Sequence, residues 1–480
     1  MRRSYSALLL LFLAVPAIAQ AASPPNFIVL FADDQGWGDL GVHGHPDIRT
    51  PNIDRMAAEG MRLTSFYAAP FCGPSRAALM TGSYPPRVSL DFNHGPGAPT
   101  GIHPDEITVA ELLKGRGYAT KMIGKWHLGD APEFLPHRHG FDSWFGIPYS
   151  NDMWQYHPVM PIRPPENERM ISARERAAMT GFAGQGNYYD LEKGQGFPQP
   201  LPLMRDDEVL ETDSDQRNLT TQYTELALSF IEESKDTPFF LYLPHAMPHV
   251  PLFVNNRRWG KSLRGRYGDV IEELDWSVGQ ILGKLVELGL DRNTLVVYTS
   301  DNGPWLEYGI DAGSAGHFKL GKGTTWEGGM RVPGIFRMPG RIPAGRVSSA
   351  VAANMDLLPT FAGLAGADLP DDRVLDGRDL WPLLSGATEE SPHEYFYFFA
   401  GRGRQHRTRL QGIRKGRHKL RLANGADGQL EAAELYDLYA DAGEKFDISS
   451  RHSNLVEDLL AQARAFLAEL AQSTRPLGGT

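Results

Sequence analysis

Cysteine is almost missing from this chain: Cys72 is the only one in 480 residues. An internal disulfide is therefore excluded, and a single unpaired thiol in an oxidising compartment needs a reason. Basic residues do not dominate either. The formal net charge of -10 argues against a general affinity for nucleic acid, whose phosphates demand a basic face. It leaves open an anionic substrate held by a local cluster of cations. Long apolar runs are missing beyond the N-terminus, so no later segment is expected to span a membrane. The irregular stretch from 130 to about 222 shows no internal repeat and no low-complexity tract.

The N-terminus reads as a secretory signal. Arg2 and Arg3 precede the apolar run Ala7 to Val15, and Ala17-Ile18-Ala19 or Ala19-Gln20-Ala21 offers a small-residue cleavage site. Residues 1–21 are assigned to this leader. No cysteine follows it, which argues against a lipid anchor. The expectation is a secreted or periplasmic protein with no membrane anchor after cleavage.

The remaining chain alternates buried strands with helices. Asn26 to Phe31 is a near-continuous apolar run, which suits a strand covered on both faces, and Tyr118 to Ile123, Pro238 to Leu243 and Thr294 to Ser300 read as further buried strands. Helices are predicted from Thr50, from the Cys72 loop, over Thr108 to Gly115, Thr221 to Glu233 and Gly268 to Glu287, and from Met355. Residues 130 to about 222 are irregular. Beyond Glu394 come aromatic β-like segments, a turn-rich stretch at Glu434-Leu435-Tyr436-Asp437-Leu438 and a final helix from Ser453 to Leu470. The predicted fold is α/β: a large catalytic domain over 22–380 and a smaller α+β subdomain over 381–480.

Four of the predicted strands each end in a polar cluster: Asp33/Asp34, Lys125/His127, His245/His249 and Asp301/Asn302. Ligands of α/β sheets bind outside the carboxyl ends of parallel strands. If these strands run parallel, the clusters face one crevice; singly, each could be an ordinary polar turn. Asp33, Asp34, Asp301 and Asn302 offer hard oxygens, which suit Ca²⁺ or, less well, Mg²⁺. Arg76, Lys125, His249 and Lys322 offer donors to an oxyanion. His245 and His249 are four apart, but Pro244, Pro248 and Pro251 exclude the helix on which that spacing would signal a metal. The glycines around Lys322 do not form a P-loop. Cys72 stands where a loop becomes a helix, with Pro74 suited to a first turn and an anion-attracting helix end. Without context it would be read as an inert, buried small residue.

Context supplies more. Cys72-Gly73-Pro74-Ser75-Arg76 followed by Ala77-Ala78-Leu79-Met80-Thr81-Gly82 resembles the signature of the type I sulfatases. The resemblance extends through the segments starting at Ala32-Asp33-Asp34-Gln35, Gly124-Lys125-Trp126-His127, Gly146-Ile147-Pro148-Tyr149-Ser150, Pro248-His249-Val250-Pro251, Asp301-Asn302-Gly303-Pro304 and Gly321-Lys322-Gly323-Thr324. It is closest to arylsulfatase A-like and N-acetylgalactosamine-6-sulfatase-like members. It implies an alkaline phosphatase-like fold, with a large mixed, mostly parallel sheet sandwiched by helices. It also implies that a maturation enzyme converts Cys72 to formylglycine. Asp33, Asp34, Asp301, Asn302 and the modified Cys72 would hold Ca²⁺, and Arg76 and His127 would fix and activate the aldehyde hydrate. Lys125, His249 and Lys322 would bind sulfate, with His249 and Lys322 assisting the leaving oxygen and Ser150 nearby. The implied activity is hydrolysis of aryl or carbohydrate sulfate monoesters. Lysosomal members carry disulfides; this chain can form none. Two rivals stand beside this reading: a phosphonate or phosphodiester hydrolase of the same superfamily, and a sulfated-glycan binding protein whose cysteine is never converted.

Overall fold

The run Asn26–Ala32 forms a strand buried along its whole length, and its alternation decides which core each side chain enters. Ile28, Leu30 and Ala32 join one apolar cluster, while Phe27, Val29 and Phe31 join another on the opposite face of the sheet. A strand covered on both sides has no solvated face, hence its unbroken apolar sequence. The computed structural model describes residues 24–153, 199–401, 408–425 and 428–479. The leader at 1–21 and most of the irregular segment after Met153 lie outside the described residues.

Ten strands make one sheet. They are β1 (Asn26–Ala32), β2 (Met61–Tyr67), β3 (Ala119–Ile123), β4 (Ser143–Gly146), β5 (Pro202–Arg205), β6 (Glu208–Thr212), β7 (Phe239–Pro244), β8 (Thr294–Ser300), β9 (Gly334–Arg337) and β10 (Arg346–Ala353). Their spatial order is β10-β2-β9-β8-β1-β7-β3-β4-β5-β6. The centre, β8-β1-β7-β3-β4, is parallel throughout. β9 is antiparallel to both of its neighbours, as is β5. The sheet is thus mixed and mostly parallel.

Helices cover both faces. On the side of Ile28 and Leu30 lie α1 (Pro51–Ala58), α4 (Leu219–Glu233) and α5 (Arg266–Glu287), which bury Ile53, Tyr223, Ile231, Ile271, Leu274 and Leu282. On the other side lie α2 (Cys72–Thr81), α3 (Val109–Lys114) and α6 (Leu357–Ala365). α3 starts at a capping box: the Glu111 amide donates to Thr108 Oγ1 at 3.1 Å, and the Thr108 amide donates to Glu111 at 2.7 Å.

The C-terminal subdomain is a four-stranded antiparallel sheet, β11 (Phe396–Ala400), β12 (Arg409–Lys415), β13 (His418–Asn424) and β14 (Leu430–Asp437), packed on α7 (Ser453–Ser473). Here two sequence expectations are corrected. The stretch around Glu434 to Asp437 is not a turn but the end of β14: Leu435 pairs with Leu420 and is fully buried. Asp437, which ends the strand, accepts from the Tyr439 amide at 3.1 Å. The region from 130 onward also contains β4, β5 and β6, which are short; β6 is exposed at every position, so it carries no buried face to read.

Candidate active site

The parallel register brings the four strand ends together. Ala32 is level with Ser300, and Phe31 with Pro244. The chain stays hydrogen-bonded as it leaves each strand: the Asp301 amide donates to the Ala32 carbonyl at 3.1 Å, His245 to Phe31 at 2.9 Å and Lys125 to Pro244 at 2.8 Å. Asp33, Lys125, His249 and Asp301 therefore converge although they are scattered over some 270 residues of chain.

Three carboxylates meet there. Asp33 and Asp301 are fully buried and Asp34 nearly so. Burying a charge is costly unless it is paired, and each acid is. Lys125 Nζ contacts Asp33 closely. The Arg76 guanidinium lies 2.9 Å from Asp301 and 3.4 Å from Asp33. Lys322 Nζ lies 2.7 Å from Asp34. Burial raises the Asp33 carboxyl, but Lys125, His249 and Arg76 outweigh it and hold it below its ordinary range. Asp301 is shifted the other way, raised by burial and by Asp33. Asn302 donates to Asp34 Oδ1 at 2.7 Å, and its own Oδ1 is buried with no hydrogen-bond partner among the described residues. An orphaned carbonyl oxygen beside three carboxylates is the environment of a hard cation.

Cys72 opens α2 and has no exposed surface. Its Sγ lies 3.3 Å from Asp33 Oδ1 and 3.5 Å from Lys322 Nζ. One ligand atom from each of Asp33, Asp34, Cys72 and His249 falls within 4.8 Å of the others. Burial, then Asp301 and Asp33, push the thiol well above its ordinary pKa, so it stays protonated and poorly nucleophilic. The helix end contributes less to anion binding than its position predicts: the Gly73 amide is taken by Asn93 Oδ1 at 2.8 Å, and Pro74 has none. The cations supply that role. Burial lowers Lys322, but Asp34 reverses this and keeps it charged; burial likewise lowers Lys125, and Asp33 holds it protonated.

A second set of groups forms a chain. Lys125 Nζ donates to Ser150 Oγ at 3.2 Å, and Ser150 Oγ is 3.3 Å from His249 Nε2. The carbonyl of Val250 lies 2.6 Å from His249 Nδ1 and accepts its hydrogen bond, while Nε2 faces both Ser150 Oγ at 3.3 Å and Asp34 Oδ2 at 3.5 Å. His127 faces the same cavity. Its Nε2 donates to the His94 carbonyl at 3.2 Å, and Nδ1 has no partner among the described residues. Burial, then Lys125 and Arg76, push His127 far below the ordinary imidazole range, so Nδ1 is an unprotonated base. His127 and Asp34 both hold left-handed backbone, φ 69° and 66°, a strain found where geometry serves a site. His245 stays out of the cluster, buried beside Tyr223, with neither ring nitrogen hydrogen-bonded among the described residues.

The cluster opens into a cavity of about 470 Å³ bordered by Phe71, Asn93, Ser150, His249, Trp305 and Lys322. Trp305 is a site residue that sequence reasoning missed: its ring packs 4.4 Å from Lys322 Nζ and edge-on to His249 at 5.5 Å. Its place directly after Asp301-Asn302-Gly303-Pro304 is the signal that could have found it.

The same arrangement of sequence recurs in known proteins. The family model described as Sulfatase matches residues 25–367, and one described as N-sulphoglucosamine sulphohydrolase, C-terminal, matches residues 313–472. The N-acetylgalactosamine-6-sulfatase of Mus musculus is 39% identical over 98% of this chain and 90% of its own length. The steryl-sulfatase of Rattus norvegicus is 40% identical over 82% and 76%. The crystal structure of the PsFucS1 sulfatase from Pseudoalteromonas sp. superposes with a TM-score of 0.79 at 28% identity, covering 95% of this chain and 92% of that one. A likeness that runs through both the large sheet and the C-terminal subdomain makes this chain a member of the sulfatase family, enzymes that hydrolyse sulfate esters.

Proposed function

We propose that this protein hydrolyses sulfate monoesters of a small molecule or carbohydrate, using Cys72 after its conversion to formylglycine by a maturation enzyme, with Ca²⁺ held by Asp33, Asp34, Asp301, Asn302 and the modified residue. One observation carries the reading. A buried cysteine, kept protonated by its surroundings, lies against acid side chains that other buried cations already neutralise. As a thiol it is inert there; as an aldehyde hydrate it would offer a hydroxyl nucleophile that can later expel sulfate.

The donor set fits the cation. It is rich in hard oxygens, and Asn302 Oδ1 has no other partner among the described residues. Three carboxylates and the three fixed cations Arg76, Lys125 and Lys322 balance, so a bound divalent ion gives the cluster the positive charge that an anionic ester requires. Bound there, the ion would supply charge stabilisation for the sulfuryl oxygens and for the nucleophile. The remaining work falls to side chains. Arg76 and Lys125 steady Asp33 and face the anion. Lys125, through Ser150, orients His249, which with Lys322 stands where a leaving oxygen needs a proton. His127 Nδ1 is the acceptor for the proton released from the nucleophile.

The relatives' names, an N-acetylgalactosamine-6-sulfatase and a steryl-sulfatase, support a sulfate ester as substrate. The leader-like N-terminus supports export to a periplasm or beyond, and no helix of the described residues is long and apolar enough to cross a membrane. Parallel assays of the purified protein on 4-nitrophenyl sulfate and on the matching phosphate and phosphonate esters test the reaction class. Preference for sulfate, abolished by Cys72→Ala in a folded protein, is expected. Preference for phosphate, or near-wild-type turnover by that variant, would overturn the proposal.

A further inference from the structure

The loop that carries Lys322 is fastened from the far side by the C-terminal subdomain. Two backbone bonds hold the loop to the large domain: the Lys322 amide donates to Pro304 at 3.0 Å and the Gly323 amide to Pro70 at 2.8 Å. Three residues further on, the fastening passes to β13. Lys419 Nζ, fully buried, donates to the Thr325 carbonyl and to Glu327 Oε1, both at 2.8 Å, and lies 2.8 Å from Glu444 Oε1. Glu444 in turn accepts from the Glu327 amide at 2.7 Å. The other Glu327 oxygen accepts from Tyr67 at 2.6 Å, at the end of β2, and pairs with Arg331 at 3.1 Å. One lysine from the small sheet therefore closes a ring of buried charges that ties the sulfate-facing loop to the main sheet. Breaking a buried pair leaves an uncompensated charge, so this ring has one arrangement, and the loop inherits it.

We propose that Lys419 is a positioning residue for Lys322: by clamping Thr325 and Glu327 it fixes the ammonium that assists the leaving oxygen, making the C-terminal subdomain part of the catalytic apparatus. The inference rests on the role given to Lys322 above. A proton or positive charge delivered to the leaving oxygen matters most for poor leaving groups. Lys322→Met should therefore lower kcat more on phenyl sulfate than on 4-nitrophenyl sulfate, by about an additional tenfold. Lys419→Met should shift the ratio of the two rates in the same direction, Lys419→Arg should restore part of it, and adding Lys419→Met to Lys322→Met should change the ratio no further. A purely structural role would lower both rates alike, in proportion to folded protein. An unchanged ratio in folded Lys419→Met overturns the inference. If that variant does not fold, Glu327→Gln, which keeps the shape but removes the charge that Lys419 grips, decides in its place: a shifted ratio supports the clamp and a wild-type ratio overturns it. If Lys322→Met itself leaves the ratio unchanged, it is the role of Lys322 that fails.

Discussion

Replacing Lys125 by methionine separates what holds the site together from what turns substrate over. Lys125 has no exposed surface, and its ammonium lies between Asp33 and Ser150. Removing one partner of a buried ion pair costs about 3–5 kcal/mol. Asp33 keeps Arg76 at 3.4 Å, so the loss in unfolding free energy should fall near the lower end, about 3 kcal/mol. This is measured as the shift of the urea midpoint with an unchanged slope. The catalytic loss is separate. Deleting one preorganised donor aimed at developing charge costs about 10² to 10³ in rate, and Lys125 also orients His249 through Ser150. The value of kcat/KM on 4-nitrophenyl sulfate, measured well below the unfolding transition, should fall by about that factor. Excess Ca²⁺ should not restore it, because the variant removes a competitor for Asp33 rather than a ligand. A folded Lys125→Met protein within threefold of wild type, or one rescued by calcium, would refute this reasoning.

Other outcomes follow from single contacts. Asn302→Leu removes the orphaned Oδ1 and should weaken Ca²⁺ binding by about tenfold or more in calorimetry; unchanged affinity would take Asn302 out of the ion's shell. Ser150→Ala breaks the link from Lys125 to His249 and should lower kcat/KM by about ten- to a hundredfold, with little change in the urea midpoint. His245, away from the site, reports on acid stability. Burial lowers its pKa from 6.5 to about 3. The unfolded chain takes up a proton near the ordinary value while the folded chain does not, so stability present above pH 6.5 drains away between there and about pH 3, at up to about 1.4 kcal/mol per pH unit. His245→Leu should flatten the fall in urea midpoint between pH 7 and pH 4.5; an equally steep fall would assign the acid lability elsewhere.

The centre of the fold is legible because burial on both faces leaves a continuous apolar signature. β1, β7 and β8 carry it and are buried at every position, whereas β3 alternates, with Ala119 and Lys121 only half-buried, and the polar residues at all four ends mark the crevice before any side-chain position is known. β10 and the short β4 to β6 are harder to read. The outer part of β10 is exposed (Arg346, Val347 and Ser349), and Ser348 and Ser349 dilute its pattern, while β6 has no buried face. Glu434 to Asp437 reads as turn-rich in the sequence, and its strand character comes from pairing with β13, which buries Leu435. The tie between Lys419 and Glu327 is invisible in sequence for a different reason. A lone lysine in a β-like stretch is indistinguishable from a solvated one until two sheets pack and leave it with no exposed surface.

The central claim is that residue 72 does its chemistry as a carbonyl. Mass spectrometry of the peptide spanning Cys72, from protein preparations matured to different extents, tests it most directly. The account predicts a species lighter by about 18 Da than the thiol form, with turnover of sulfate ester rising in proportion to its fraction and extrapolating to zero where none is present. Full turnover from protein whose residue 72 is entirely thiol would contradict it.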